Sequence, residues 1–286
     1  MVAGMGMTGA STASNMAPAG VFAGTGVGGT LAWAVAADDQ RIRYETFGAG
    51  EPALVFVHGG MCDRSYWWAQ TAGFASEYRV IALDLPGHGE SDKGRTQWSM
   101  EGFGDDVARS VQAARADRVI LIGHSMGGPV VIEAARRLGS SVIGVVIVDM
   151  LHKPNLKPPK PPQLDRDALV AMMRKGMFTP SSDPAMQSRI IDSMTSTPPQ
   201  IAGALREAMQ AYDAPTGLRA IASTPLTMIL SEQRPVDAVE IRSLHPRARI
   251  LVVPRAGHFL MIEAPSSFNT VLRTEALMMA GDVKIL

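Results

Sequence analysis

Apolar residues in this chain fall into short runs, and the gaps between the runs carry helical spacing. The runs lie at 54–57, 80–84, 119–122, 143–149, 225–230 and 250–253. Runs of this length, rich in Val, Ile and Leu, predict buried strands. Strands alternating with helices predict an α/β fold: a mostly parallel, twisted sheet with helices on both faces. An outer hairpin precedes them. Leu31 to Ala36 forms its first strand, Asp38-Asp39-Gln40 its turn, and Arg41 to Phe47 its second strand. In that second strand Ile42, Tyr44 and Thr46 alternate with Arg41, Arg43 and Glu45, the period of two of an antiparallel edge.

Between 150 and 220 the alternation breaks. Lys153 to Pro162 carries five prolines and reads as a stiff, extended connector. Three amphipathic helices are expected after it, near 164–178, 184–196 and 199–212. In the third, Ile201, Ala204, Leu205, Ala208, Met209 and Tyr212 recur at helical spacing. The expected organisation is a flexible N-terminal arm over 1–30, a core of 31–152 and 216–286, and a helical insertion over 153–215.

Composition narrows the classes. The 286 residues are 46% hydrophobic and 19% charged, enough for a large core. Lys+Arg and Asp+Glu are both 27, so no basic excess argues for nucleic acid or an acidic membrane surface. No apolar run reaches membrane-spanning length, so no integral membrane segment is expected. The single cysteine, Cys62, allows no internal disulfide and reads as a packed loop thiol. Residues 1–30 carry no charge. They lack the positive start and compact apolar core of a secretory signal. A flexible arm and a cytoplasmic location are therefore expected, with secretion left open. Self-association as a homodimer also stays open.

The chemistry concentrates at Val119-Ile120-Leu121-Ile122-Gly123-His124-Ser125-Met126-Gly127-Gly128. A buried strand stops at Gly-x-Ser-x-Gly and a small-residue helix start follows. This is the context that holds a serine on a tight turn with its hydroxyl exposed. Leu54-Val55-Phe56-Val57-His58-Gly59-Gly60 is a second strand, ending in a His-Gly-x loop. Val80 to Leu83 runs into Asp84-Leu85-Pro86-Gly87-His88-Gly89-Glu90-Ser91-Asp92. Ile250 to Pro254 precedes Gly257-His258-Phe259. On these residues, and in this order, the chain resembles the α/β-hydrolase superfamily over roughly residues 31 to 280. The resemblance implies that fold, with 153–215 as a helical cap over the nucleophile.

Serine needs a base within hydrogen-bond reach, and the base needs an orienting acid. Ser125 is the expected nucleophile. Of the six histidines (58, 88, 124, 152, 245 and 258), His258 lies in the loop after the last strand and is the expected base. His58 and His88 read as scaffold residues of their turns. His124 is expected to point away from Ser125, and His152 and His245 to lie at the cap edge and the surface. No pair has metal-ligand spacing, so neither metal nor cofactor is expected. The expected oxyanion hole is built from the backbone N–H groups of Met126, the residue after the nucleophile, and, by the resemblance, of Gly60.

The acid departs from the family pattern. Many relatives carry Asp in a turn after the seventh strand. Here Met228-Ile229-Leu230 leads to Ser231-Glu232-Gln233-Arg234, with arginine at that position. Asp149, at the end of the sixth strand, is the expected acid. Asp237 is the alternative.

The resemblance implies hydrolysis of a carboxylic ester through an acyl-enzyme. Six methionines in the insertion (172, 173, 177, 186, 194 and 209) suit a small-molecule ester with a hydrophobic or bulky group. Other serine chemistries stay open: C–C bond hydrolysis, lactone opening, amide cleavage and perhydrolysis. So does a non-catalytic binding relative.

Overall fold

The computed structural model describes residues 28–150, 166–234 and 236–282. Most of the expected N-terminal arm, His152 and the Lys153–Pro162 connector lie outside the described residues.

Eight strands form one sheet. They are β1 (Thr30–Val35), β2 (Arg41–Phe47), β3 (Ala53–Val57), β4 (Val80–Leu83), β5 (Val119–His124), β6 (Val142–Val148), β7 (Leu226–Ser231) and β8 (Arg249–Val253), in the order β1-β2-β4-β3-β5-β6-β7-β8. β1–β2 and β2–β4 pair antiparallel, and the remaining pairs are parallel. From β3 the chain crosses outward to β4, then returns past β3 to β5. The connections on either side of β3 therefore diverge, which opens a crevice at the carboxyl ends of β3 and β5.

The helices are α1 (Trp68–Phe74), α2 (Met100–Ala113), α3 (Gly127–Leu138), α4 (Arg166–Met177), α5 (Pro184–Thr195), α6 (Pro199–Ala211), α7 (Ala214–Ala220), α8 (Ala238–Leu244), α9 (Leu260–Glu263) and α10 (Pro265–Ala280). The period of two along the central strands divides the core between two faces. Val55, Val57, Leu121, Val145 and Ile147 pack with Val107 and Val111 of α2 and Val130 and Val131 of α3. Leu54, Phe56, Ile120, Ile122 and Val146 pack on the other face with Trp67, Phe74 and the α10 row Phe268, Leu272 and Ala276. Among the described residues, no helix is long and apolar enough to cross a membrane.

Three expectations from the residue pattern need correction. The alternation in β2 fails after Tyr44: Glu45 and Phe47 are buried, whereas Thr46 is partly exposed. Glu45 goes inside because Arg64 is there to meet it, at 3.5 Å. Arg64 also contacts Asp84 and reaches Glu90 Oε2 at 2.6 Å, while the backbone N–H groups of Arg64 and Glu90 donate to the Asp84 carboxylate at 2.7 and 2.9 Å. His245, expected at the surface, is buried; its Nε2 lies 3.1 and 3.0 Å from the carbonyls of Ile221 and Thr224 and packs the segment before β7. Met172, one of the six methionines read as suiting an apolar substrate, is 48% exposed, while Met173 and Met194 are buried.

The Arg64 cluster fastens the loop after β3 to the loop after β4, and so fixes the chain on one side of the crevice. Arg64→Met would leave Asp84, fully buried, without its cation. The expected cost is about 3 kcal/mol or more of folding stability, read as a fall in the urea midpoint. A loss under about 1 kcal/mol would show that the backbone donors alone satisfy Asp84.

Candidate active site

β5 is buried throughout and ends in a sharp turn. Ser125 has φ +52, in the left-handed region, and is partly exposed. The turn closes because its flanks are glycine. A Cβ at Gly123 would lie 2.1 Å from the Gly127 carbonyl oxygen, and one at Gly127 would lie 2.6 Å from that of Val57. Ser125 N–H donates to Val148 O at 2.9 Å, and Gly128 N–H donates to Ser125 O at 2.9 Å. α3 starts immediately after, so the serine sits at the positive end of a helix.

The two expected oxyanion donors are neighbours across this turn. A Cβ at Gly60 would lie 3.4 Å from Met126 Sδ, and one at Gly59 would lie 3.3 Å from Ser125 Cβ. His58 holds this loop in place. Its Nδ1 pairs with Gly59 O at 2.7 Å, and its Nε2 accepts from Leu85 N–H at 3.0 Å. Burial pushes the His58 imidazole down to about 4, so the ring is neutral, as an accepting Nε2 requires.

β6 ends one residue before Asp149, which has φ +45 and is fully buried. Its N–H donates to Ile229 O at 2.9 Å, extending the ladder toward β7. Oδ1 accepts from Ser231 N–H at 2.8 Å, and Oδ2 lies 2.7 Å from His258 Nδ1. The carboxylate thereby fixes the ring proton on Nδ1 and leaves Nε2 as the acceptor. Burial lowers the His258 imidazole below its ordinary 6.5, and the bond to Asp149 works against that shift. Asp237 is elsewhere. It caps α8, accepting from Val239 N–H at 2.9 Å and Glu240 N–H at 3.1 Å. Of the two candidate acids, Asp149 is the one paired with His258.

His258 is held at both ends of its backbone. Its N–H donates to Met177 O at 2.7 Å, and its carbonyl accepts from His124 Nε2 at 2.9 Å. The two imidazole rings stand 4.6 Å apart. His124 occupies the position before Ser125, so the serine turn and the histidine loop are fastened together directly. The sequence assigns His124 no part in the site, whereas its ring fastens the histidine loop. Backbone bonds thus link the three segments: the residue before Asp149 receives the Ser125 N–H, and the residue before Ser125 holds the His258 carbonyl.

The helices between β6 and β7 contact the same region. Phe178, just after α4, stacks on Phe259 at 5.7 Å. Gln233 Nε2 donates to Phe178 O at 3.4 Å, and Ser182 bonds the Glu263 carboxylate. Tyr212, at the end of α6, donates to Glu133 of α3 at 2.9 Å. One residue of this region escaped sequence reading. Arg234 Nε lies 3.3 Å from Asp149 Oδ2, and Arg234 Nη2 donates to Gly176 O at 2.6 Å. The available signal was the arginine at the position where relatives place an acid. Among the described residues, no cluster of His, Cys, Asp and Glu could hold a metal ion.

Comparison with known proteins agrees with this architecture. A component of the acetoin cleaving system of Pseudomonas putida, a dihydrolipoyllysine-residue acetyltransferase, is 26% identical over 79% of this chain. The chain spans 64% of that relative's length. The structure of an esterase from Rhodococcus sp. ECU1013 superposes with a TM-score of 0.72 at 25% identity, covering 85% of this chain and 97% of that one. A thermophilic esterase from Thermogutta terrifontis superposes with a TM-score of 0.74 at 23% identity, covering 88% of this chain and 99% of that one. The model of the alpha/beta hydrolase family matches residues 54–271, from the start of β3 into α10. With that match over most of its length, and with the sheet order and serine turn described above, the chain belongs to the α/β-hydrolase family.

Proposed function

We propose that this protein is a serine hydrolase that cleaves a carboxylic ester carrying a hydrophobic or bulky group, through an acyl-enzyme. The observation that carries the reading is the buried Asp149–His258 pair, at 2.7 Å, fastened beside a serine held at φ +52. Ser125 Oγ attacks the ester carbonyl while His258 Nε2 takes its proton. The tetrahedral oxyanion forms against the backbone N–H groups of Gly60 and Met126, worth about 3 kcal/mol each. The intermediate collapses, and the alcohol leaves with the proton held by His258. Water then attacks the acyl-enzyme with His258 again as base. The C–O bond to Ser125 breaks, and the acid is released. Asp149 holds the imidazole in the correct tautomer throughout.

In this reading 153–215 is a cap, and its apolar side chains favour an apolar acyl or alcohol group. Met173, Phe178, Ile190 and Met194 are buried in one cluster with Phe259 of the histidine loop. Esterases among the structural relatives support an ester over an amide. The test is turnover of p-nitrophenyl esters of increasing chain length, with the matched anilide and a lactone alongside. Turnover is expected to rise from acetate to the medium-chain esters and to exceed that of the anilide and the lactone. Faster opening of the lactone, or a flat response to chain length, would overturn the ester reading. A non-catalytic relative would leave Ser125 unlabelled by a fluorophosphonate probe.

A further inference from the structure

Arg234 occupies the turn after β7 where relatives carry the acid, yet it has not left the site. Its side chain is 18% exposed and lies against a fully buried carboxylate. Two anchors hold it. Nη2 donates to Gly176 O in the last turn of α4, where the helix presents unpaired carbonyls, and Nε stands 3.3 Å from Asp149 Oδ2. The Nε–H is not aligned for a hydrogen bond to that oxygen. Oδ2 keeps its aligned contact, at 2.7 Å, for His258 Nδ1. The arginine therefore supplies charge to the pair without competing for its hydrogen bond.

We propose that Arg234 is a positioning residue of this site: its fixed cation stands against the Asp149–His258 pair and opposes a second proton on the His258 ring, so that the base is free at lower pH than in a site without it. The inference rests on the serine-hydrolase reading for its meaning in catalysis, though not for its effect on His258. The sign follows from charge. A cation near the imidazole disfavours the imidazolium, and Asp149 favours it. Both effects act on His258, and burial adds to that of Arg234.

Among the described residues, the other groups around the ring do not supply a comparable positive charge. His124, 4.6 Å away on β5, is driven well below its ordinary value by burial and stays neutral. His58, beyond it, is neutral for the same reason. Glu263 of α9 accepts from Phe259 N–H at 3.2 Å and bonds Ser182. From α4, the groups that meet the histidine loop and Arg234 are the carbonyls of Met177 and Gly176.

The test compares wild type with Arg234→Gln, which removes the charge but keeps a polar donor, and Arg234→Lys, which keeps the charge. The first readout is the ¹³C NMR titration of the His258 ring in histidine-labelled protein, assigned with His258→Ala. Arg234→Gln is expected to raise the His258 midpoint by about one pH unit, and Arg234→Lys to leave it near wild type. An unchanged midpoint in Arg234→Gln overturns the inference, whether or not the protein turns over an ester. The second readout is the pH dependence of kcat/KM with p-nitrophenyl acetate, scaled to the fraction labelled by a fluorophosphonate. The acidic limb is expected to move upward with the NMR midpoint. A uniform fall at every pH without movement of the limb assigns Arg234 a purely structural part. A wild type that titrates as expected but is neither labelled nor active overturns the hydrolase reading alone.

Discussion

Ser125→Ala is expected to lower kcat for the best ester by about 10⁴-fold or more while leaving the fold intact. The size follows from what the hydroxyl does. On the proposed mechanism no acyl-enzyme forms without it, and what remains is whatever the oxyanion donors and substrate binding accelerate by themselves. The fold should survive because Ser125 contributes its backbone to the turn: its N–H bonds Val148 O and its carbonyl receives Gly128 N–H, and alanine keeps both. The positive φ of 52 disfavours alanine and serine alike, so the exchange adds little strain. His258→Ala should be comparably damaging to kcat, and the double variant little worse than either, because the groups act as a unit. Steady-state kinetics checked against unchanged circular dichroism decides the matter. A Ser125→Ala protein that keeps a tenth of its activity would remove Ser125 from the mechanism.

The sheet and the serine turn were legible in the sequence because both are written in local patterns. Buried parallel strands are continuous apolar runs, and the runs at 54–57, 119–122 and 143–149 became β3, β5 and β6 with shifts of a residue or two at their ends. The three helices of the insertion were legible for the same reason: Leu205, Ala208 and Tyr212, at helical spacing, are buried. The unreadable parts depend on partners distant in sequence. Glu45 reads as an outward charge until Arg64 is known to meet it at 3.5 Å. His245 reads as a surface residue until two carbonyls more than twenty residues earlier accept its ring nitrogen. Arg234 reads as the loss of an acid. Its proximity to Asp149, 85 positions earlier, exists only because β6 and β7 are neighbours, so that the turn after one meets the residue after the other.

Asp149→Asn is expected to lower kcat by about 10⁴-fold, and Asp237→Asn to change it less than twofold. The first substitution keeps the shape of the side chain. Its amide oxygen can still accept from Ser231 N–H, which now bonds Oδ1 at 2.8 Å. At the other end an NH₂ would face His258 Nδ1, where a carboxylate oxygen now accepts at 2.7 Å. The ring must then turn its lone pair to Nδ1 and carry its proton on Nε2, where it cannot take the serine proton. Arg234 would also be left beside a neutral partner, so charge balance in the buried site is lost along with the tautomer. Some loss of stability should accompany the loss of rate, because a buried cation without its anion is costly. Asp237 is held to a different task. It accepts two backbone N–H groups at the start of α8, and asparagine caps a helix about as well as aspartate. A near-silent Asp149→Asn together with an inactive Asp237→Asn would mean that the loop after β7 rearranges to bring Asp237 to His258 during turnover. The 2.7 Å contact to Asp149 would then belong to a resting state.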